Sequence, residues 1–486
     1  LKKYLAFPPL QIIFGSITIA SLLLAIATEI YLLAAIPLIF LLAYTTIADY
    51  RTVYLLMLAC LPLSTEFYFP NGLATDLPTE PIIIGLMLVF LFLVLYEQNI
   101  VEARFLKHPI TLLLLLHFSW IAITTITSSQ IIFSTKYLLA KTWYIIVFYF
   151  FAGSLFRQEK QIKTAFWWIL IPLLFTLVYV NLRHAQYGFS FEDIYKVLHP
   201  FYRNHVIYAC LMVIFFPFVW YALYWYWEQP KIKWLLIISI IFLLVSIYFS
   251  YTRAAYVALL IMPIGYLILR LKLIPVAIIV GVLSVSGGII FLAKQNKYLA
   301  YAPNYERTIT HTEFNSLLEA TYNLEDISTM ERFHRWVAAF FMIKEKPLLG
   351  FGPGNFYSFY TPFTVNSFRT YVSDNPEQSG IHNYYLMVAV EQGIIGLLIF
   401  LLLCSYVLWK SQVIYYQTSD KIRRTFIIAT FFAFIIICIV QTMNDLIETD
   451  KVGAFFFICM SILVNLDLRN QSKRIHDSRR KDRTTE

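Results

Sequence analysis

Stretches of about 17–22 residues with almost no charge recur along this chain, and a helix of that length crosses the hydrocarbon core of a bilayer. Lipid offers no partner to a backbone N–H or C=O, so such runs fold as helices that satisfy themselves. About fourteen are present, over 10–27, 30–47, 52–63, 81–97, 109–127, 137–156, 164–181, 206–227, 234–250, 254–270, 274–293, 384–409, 426–447 and 452–468. The third is short enough to be broken, tilted or re-entrant. The expectation is an all-α polytopic membrane protein with about 12–14 transmembrane helices.

Charge then sets the orientation. The chain is 59% hydrophobic and 14% charged, with a net charge of +9. That excess sits in short loops and in the tail, as membrane topology requires, and not in a patch that would bind nucleic acid. With both termini cytoplasmic, the inner loops and tail hold most of the 38 Lys and Arg residues. The short outer loops hold only Lys136, Arg183, Lys196, Arg203, Arg253 and Lys451. Lys2 and Lys3 precede the first run and no small-residue cleavage site follows it, which argues against a cleavable signal peptide. The five cysteines all fall in apolar runs, so neither a disulfide framework nor a cysteine metal site is expected.

This topology divides the chain into an N-terminal bundle (1–293), one large outer loop (294–383), C-terminal helices (384–468) and a basic cytoplasmic tail (469–486). The loop is far longer than any other connection and carries eight basic residues against nine acidic ones. A connection of that length in a compact protein is usually functional. Within it, Ser328 and Glu331 have capping-box spacing, and Phe333, Trp336, Val337, Phe340 and Phe341 follow at helical period. This is an amphipathic helix, able to lie on the membrane surface or across the mouth of the bundle. It ends near Pro347, where Gly350, Gly352 and Gly354 form a tight turn. The turn lacks the strand of a dinucleotide fingerprint and the Lys of a P-loop. It reads mainly as a bend returning the loop to the bundle, with anion contact through its N–H groups as the alternative.

Four groups at the outer face carry chemistry. Arg253 sits in a tight hairpin between two spans, Arg332 and Arg335 lie on the loop helix, and His382 closes the loop where the next span opens. An ionisable group at such a border is a functional candidate by default. Guanidinium forks bind phosphate oxygens and stay charged, a departing diphosphate gains charge that they stabilise, and a neutral imidazole can deprotonate an acceptor hydroxyl. An activated donor at the outer face arrives attached to a lipid. No metal-ligand cluster is visible, and no cofactor is expected. Asp374 and Glu377 precede His382 and are candidates to orient it, against a plainer role as solvated acids. His184, His199, His205, His311 and His334 also lie outside and read as loop or interface residues.

Four patches carry a family resemblance: Ser250-Tyr-Thr-Arg253-Ala-Ala-Tyr256; Arg332-Phe-His-Arg-Trp336; Lys346-Pro-Leu-Leu-Gly350-Phe-Gly-Pro-Gly354-Asn-Phe356; and His382-Asn383 followed by Gly393-x-x-Gly396. In this order they resemble the O-antigen ligase and polymerase superfamily of bacterial envelope enzymes, which also includes protein O-oligosaccharyltransferases. The resemblance implies a metal-independent, inverting glycosyl transfer at the periplasmic face of the bacterial inner membrane. The donor it implies is a glycan on undecaprenyl diphosphate. The acceptor is a lipid A core sugar for a ligase, the next lipid-linked repeat for a polymerase, or a protein hydroxyl for an oligosaccharyltransferase. Arg253, Arg332 and Arg335 would hold the diphosphate, His382 would activate the acceptor, and Asn383, Gly393 and Gly396 would shape the site. The donor's tail would enter sideways from the membrane lipid. The competing class is a transporter of lipid-linked glycans, which calls for polar groups near mid-membrane and for repeat symmetry.

Overall fold

The computed structural model describes the chain apart from residues 1–7, 30–32, 34–35, 69–73, 98–99, 305–307, 309–318, 376–377 and 486. The apolar runs form helices, here numbered α1 (Pro8–Thr28), α2 (Ile36–Ala48), α3 (Tyr50–Cys60), α4 (Thr79–Tyr96), α5 (Pro109–Ile126), α6 (Ile131–Leu155), α7 (Glu159–Ala185), α8 (His205–Trp225), α9 (Pro230–Tyr248), α10 (Arg253–Arg270) and α11 (Ile274–Ala293). The outer loop contributes α12 (Ile327–Glu345), and α13 (Tyr384–Gln417), α14 (Lys421–Val440) and α15 (Asp450–Thr485) complete the bundle. Among the described residues, eleven helices are long and apolar enough to cross a membrane. Of the fourteen expected spans, the first three fall short of that length: α1 counts only over Phe14–Thr28, and α2 and α3 have 13 and 11 residues. Among the described residues, strands are confined to an antiparallel pair, β1 (Thr65–Tyr68) and β2 (Ala74–Leu77).

Helices that are apolar all round sit at the centre. Thus α15 is buried along nearly all of its apolar length and α8 and α14 along most of theirs, whereas no residue in the apolar window of α11 is buried. Aromatic rings lock the centre: Trp225 stacks on Phe426 at 4.1 Å and Phe434 on Phe456 at 5.2 Å. Ion pairs close one end of the bundle. Glu159 of α7 binds both Arg423 of α14, at 2.8 Å, and Arg469 of α15. Asp467 accepts from Lys410 at 2.9 Å and faces His108 at 3.1 Å. The strand pair, the N-termini of α8, α10, α13 and α15, and α12 gather at the opposite end.

The long helix α13 is broken at Gly393, whose φ of 72° is a left-handed conformation. The glycine turn after α12 fills the break. Phe351 N–H donates to Val390 O at 2.9 Å, Gly352 N–H to Glu391 O at 2.9 Å, and Ile394 N–H to Pro347 O at 2.7 Å. Trp120 Nε1 of α5 donates to Gln392 O at 2.9 Å. The Glu391 carboxylate reaches back to accept from Phe356 N–H at 3.2 Å. The turn is therefore the bend that returns the loop to the bundle, and its Phe351 and Gly352 N–H groups are occupied by α13 rather than open to an anion. A Cβ at Gly393 would lie 2.0 Å from Leu348 O. Gly393→Ala should therefore lower stability by about 2 kcal/mol or more. The check is the thermal midpoint of the purified protein in detergent, and an unchanged midpoint contradicts this account of the break.

Candidate active site

Capping builds the loop helix, though not at the expected residues. Asp326, not Ser328, is the N-cap of α12, accepting from Ser328 N–H and Thr329 N–H. Glu331 does not reach back to the cap. It accepts from Ser373 Oγ at 2.6 Å and from the Thr370 hydroxyl, and it pairs with Arg335 at 3.5 Å. The buried face of α12 is Met330, His334, Ala338, Ala339 and Met342, which packs towards α13 and the returning loop. The apolar stripe Phe333, Trp336, Val337, Phe340 and Phe341 instead lines a cavity of about 570 Å³, whose other wall is the end of α11 with Tyr298, Tyr301 and Phe368.

Arg253 is the first residue of α10. Its guanidinium lies 3.1 Å from Asp326 Oδ2 and also bonds the Thr321 hydroxyl. One carboxylate thus caps the loop helix and ties it to the bundle. Arg332 lies on the next turn, with its Nε buried and without a partner. Among the described residues no carboxylate lies within ion-pair distance of it. Burial and then Arg253 push its guanidinium down to about 10. Arg335 is used differently: it donates to Gly380 O at 2.8 Å and pairs with Glu331, which makes it a staple on the segment leading to His382.

That segment is held from both sides. Trp336 Nε1 donates to Ile381 O at 3.1 Å, and Tyr384 N–H donates to Gln441 O at 2.9 Å at the end of α14. His382 itself has φ of 55°, a conformation that costs a non-glycine residue free energy and persists only where its surroundings fix it. Asn383 is the N-cap of α13, its Oδ1 accepting from Leu386 N–H at 3.1 Å. Gly393 makes the helix break, and Gly396 faces Trp120, so both act through helix packing.

The His382 imidazole is two-thirds buried, and its Nδ1 lies 3.9 Å from Asp445 Oδ1. That is an ion-pair distance rather than a hydrogen bond. Burial, then Arg332 and Arg335, push the imidazole down to about 3, so the ring is neutral near physiological pH. Burial pushes the Asp445 carboxyl up, opposed by a hydrogen bond from its own backbone N–H and by Arg335 and Arg332. Arg332, Arg335, His382 and Asp445 are thus one electrostatic unit, with Arg253 beside Arg332. Asp445, not Asp374, is the carboxylate next to His382, and Asp374 has the plainer role of a solvated acid. Asp374 is exposed and pairs with Arg369 at 2.8 Å. Glu377 and His311 lie outside the described residues. His205 was read as a loop or interface residue; it opens α8, its carbonyl accepts from the hydroxyl of Thr252 next to Arg253, and Arg332 and Arg253 act on its ring. Each missed residue has a faint signal: Asn444-Asp445 fills the short outer turn between the last two spans, and Asn204-His205 opens an apolar run after a polar loop.

Arginines, an imidazole and a carboxylate thus gather at one end of the helix bundle of a membrane protein, a constellation chemically able to bind an anion and to take up a proton. Residues 238–401, about a third of the chain, match the family model described as O-antigen ligase, so this segment is similar to the O-antigen ligase-like superfamily. The match runs from α9 into α13 and takes in Arg253, Arg332, Arg335, His382, Asn383, Gly393 and Gly396, while His205 and Asp445 lie outside it. No curated protein matches the chain.

Removing the Arg332 charge should raise the pKa of His382, because a neighbouring cation disfavours the imidazolium. The expected result of a histidine NMR titration is a ring that stays neutral well below its ordinary range in the wild type and titrates higher in Arg332→Gln. An identical titration in both proteins contradicts the electrostatic coupling.

Proposed function

We propose that this protein is a glycosyltransferase of the O-antigen ligase type, moving a glycan from undecaprenyl diphosphate to an acceptor hydroxyl at the periplasmic face of a bacterial inner membrane. The observation that carries this reading is the His382 imidazole, 3.9 Å from Asp445 through Nδ1 and kept neutral by burial and by the charges of Arg332 and Arg335. A base and a cation cluster share one site, as a displacement with an anionic leaving group needs.

In the step proposed, the acceptor oxygen attacks the anomeric carbon of the donor sugar from the face opposite the diphosphate. The acceptor proton passes to His382. The bond from the anomeric carbon to the diphosphate oxygen breaks, and its electron pair leaves with the diphosphate. Because Nδ1 looks towards Asp445, Nε2 is the nitrogen left for the acceptor. The imidazolium that forms is stabilised by the Asp445 carboxylate. Arg332 takes up the charge on the departing diphosphate, with Arg253 beside it. Arg335 and Asn383 position His382 rather than bind the donor.

Charge supports the orientation. The end of the bundle away from the site carries Arg104, Arg157, Lys163, Arg270, Lys410, Arg423, Arg424 and Arg469, as a cytoplasmic face does. The cavity between α11 and the apolar stripe of α12 is open to the donor's tail, since the residue before Phe333 is Arg332 itself. The exposed surface of α11 extends that route into lipid. The same machinery serves a lipid A core acceptor, a second lipid-linked repeat or a protein hydroxyl, so polymerase and protein O-oligosaccharyltransferase activities stand beside ligation.

The test is in-vitro transfer from a purified glycan on undecaprenyl diphosphate, with chelator and no added metal, offered each acceptor class in turn. His382→Ala and Arg332→Ala should each lose about a hundredfold or more in kcat/KM. Wild-type transfer by His382→Ala would remove the base assignment.

A further inference from the structure

His205 opens α8 just after its cap, Asn204, whose Oδ1 accepts from Ile207 N–H at 2.9 Å. The ring packs edge-on against Tyr195, with centroids 4.8 Å apart. Its backbone carbonyl accepts from Thr252 Oγ1 at 3.2 Å, which fixes the start of α8 against the residue before Arg253. The charged groups that act on the ring are Arg332 and Arg253. No carboxylate among the described residues pairs with it, and its Nδ1 is buried without a partner. A buried ring nitrogen left unbonded is costly, and so is the buried, unbonded Nε of the neighbouring Arg332. The N-terminus of a helix adds partial positive charge to the same spot. Two orphaned nitrogens, from two separate elements, therefore belong to one cationic cluster whose acid, Asp326, is already engaged by Arg253 and by the cap of α12.

We propose that His205 is a binding residue for the donor diphosphate, with its ring hydrogen-bonded to a phosphate oxygen beside Arg332 and Arg253. This rests on the transferase reading above and extends it: the imidazole of His382 serves the acceptor, and that of His205 serves the leaving group. The role is recognition rather than proton transfer to the acceptor. Loss of His205 should therefore act on donor KM and spare kcat.

The experiment measures binding of undecaprenyl diphosphate and of undecaprenyl monophosphate to the full-length protein in detergent, alongside transfer kinetics. Wild type should prefer the diphosphate. His205→Ala should weaken diphosphate binding about tenfold or more and raise donor KM by a similar factor, with kcat within about twofold. His205→Asn, whose amide can stand near the Nδ1 position, should recover part of the loss. Diphosphate affinity and KM unchanged in a folded His205→Ala overturn the proposal while leaving the transferase reading intact. A wild-type protein that binds neither lipid overturns that reading and this one together. If His205→Ala does not fold, histidine NMR of the wild type decides. The His205 ring signal should move when undecaprenyl diphosphate is added, and a signal that stays fixed at saturating lipid overturns the proposal.

Discussion

The site depends on a helix that does not run through. A backbone broken inside a bilayer leaves N–H and C=O groups that no lipid can satisfy, and such breaks survive only where protein fills them. In α13 the filling is the glycine turn that follows the loop helix. Phe351 and Gly352 donate to α13 carbonyls, and Ile394 donates back to Pro347. The exchange runs both ways, so neither segment is complete without the other. Its consequence is positional. The turn follows directly on α12, and His382 lies just before α13, so this clasp sets where the arginines stand relative to the imidazole.

Electrostatics does the rest. Each cation near His382 except Arg332 is tied to a carboxylate: Arg253 to Asp326, and Arg335 to Glu331. Those acids are themselves busy, one capping α12 and the other gripping Thr370 and Ser373. Removing either acid would loosen the fold as well as the site. Arg332 is held by packing instead, with a buried Nε that bonds nothing. Unsatisfied buried polar groups are rare in folded proteins, and they concentrate where a ligand completes them. The lowered imidazole follows from the same crowding. Arg253 and Arg335 act on Arg332 as like charges, and Arg332 and Arg335 act in the same sense on the imidazole.

Much of this was legible in the sequence. Apolar runs placed the spans because bilayer thickness fixes their length, and the motif order singled out His382, Arg253 and Arg332 as candidates. What stayed hidden needed partners distant in the chain. Glu331 looked like half of a capping box, but Asp326 lies equally well placed, and only tertiary contacts with Thr370 and Ser373 decide between them. Arg335 could not be told from Arg332 until Gly380 was seen beneath it. Asp445 lies some sixty residues after His382 and reads as one acid in an outer turn. The spans also hold more polar groups than their apolar look suggested. His117 faces Gln392 at 3.1 Å, and Lys141 meets Glu448 at 2.8 Å. These pairs join helices to one another, which explains buried polar residues without a transport path.

The most direct test is amide hydrogen exchange across 346–356 in the intact protein in a lipid nanodisc. If the turn fills the break in α13, the Phe351 and Gly352 amides should exchange as slowly as those of the central helices, despite lying in a loop rich in glycine. Exchange at the rate of an open loop would mean that the two segments are not joined. The placing of the arginines over His382 would then lose its foundation.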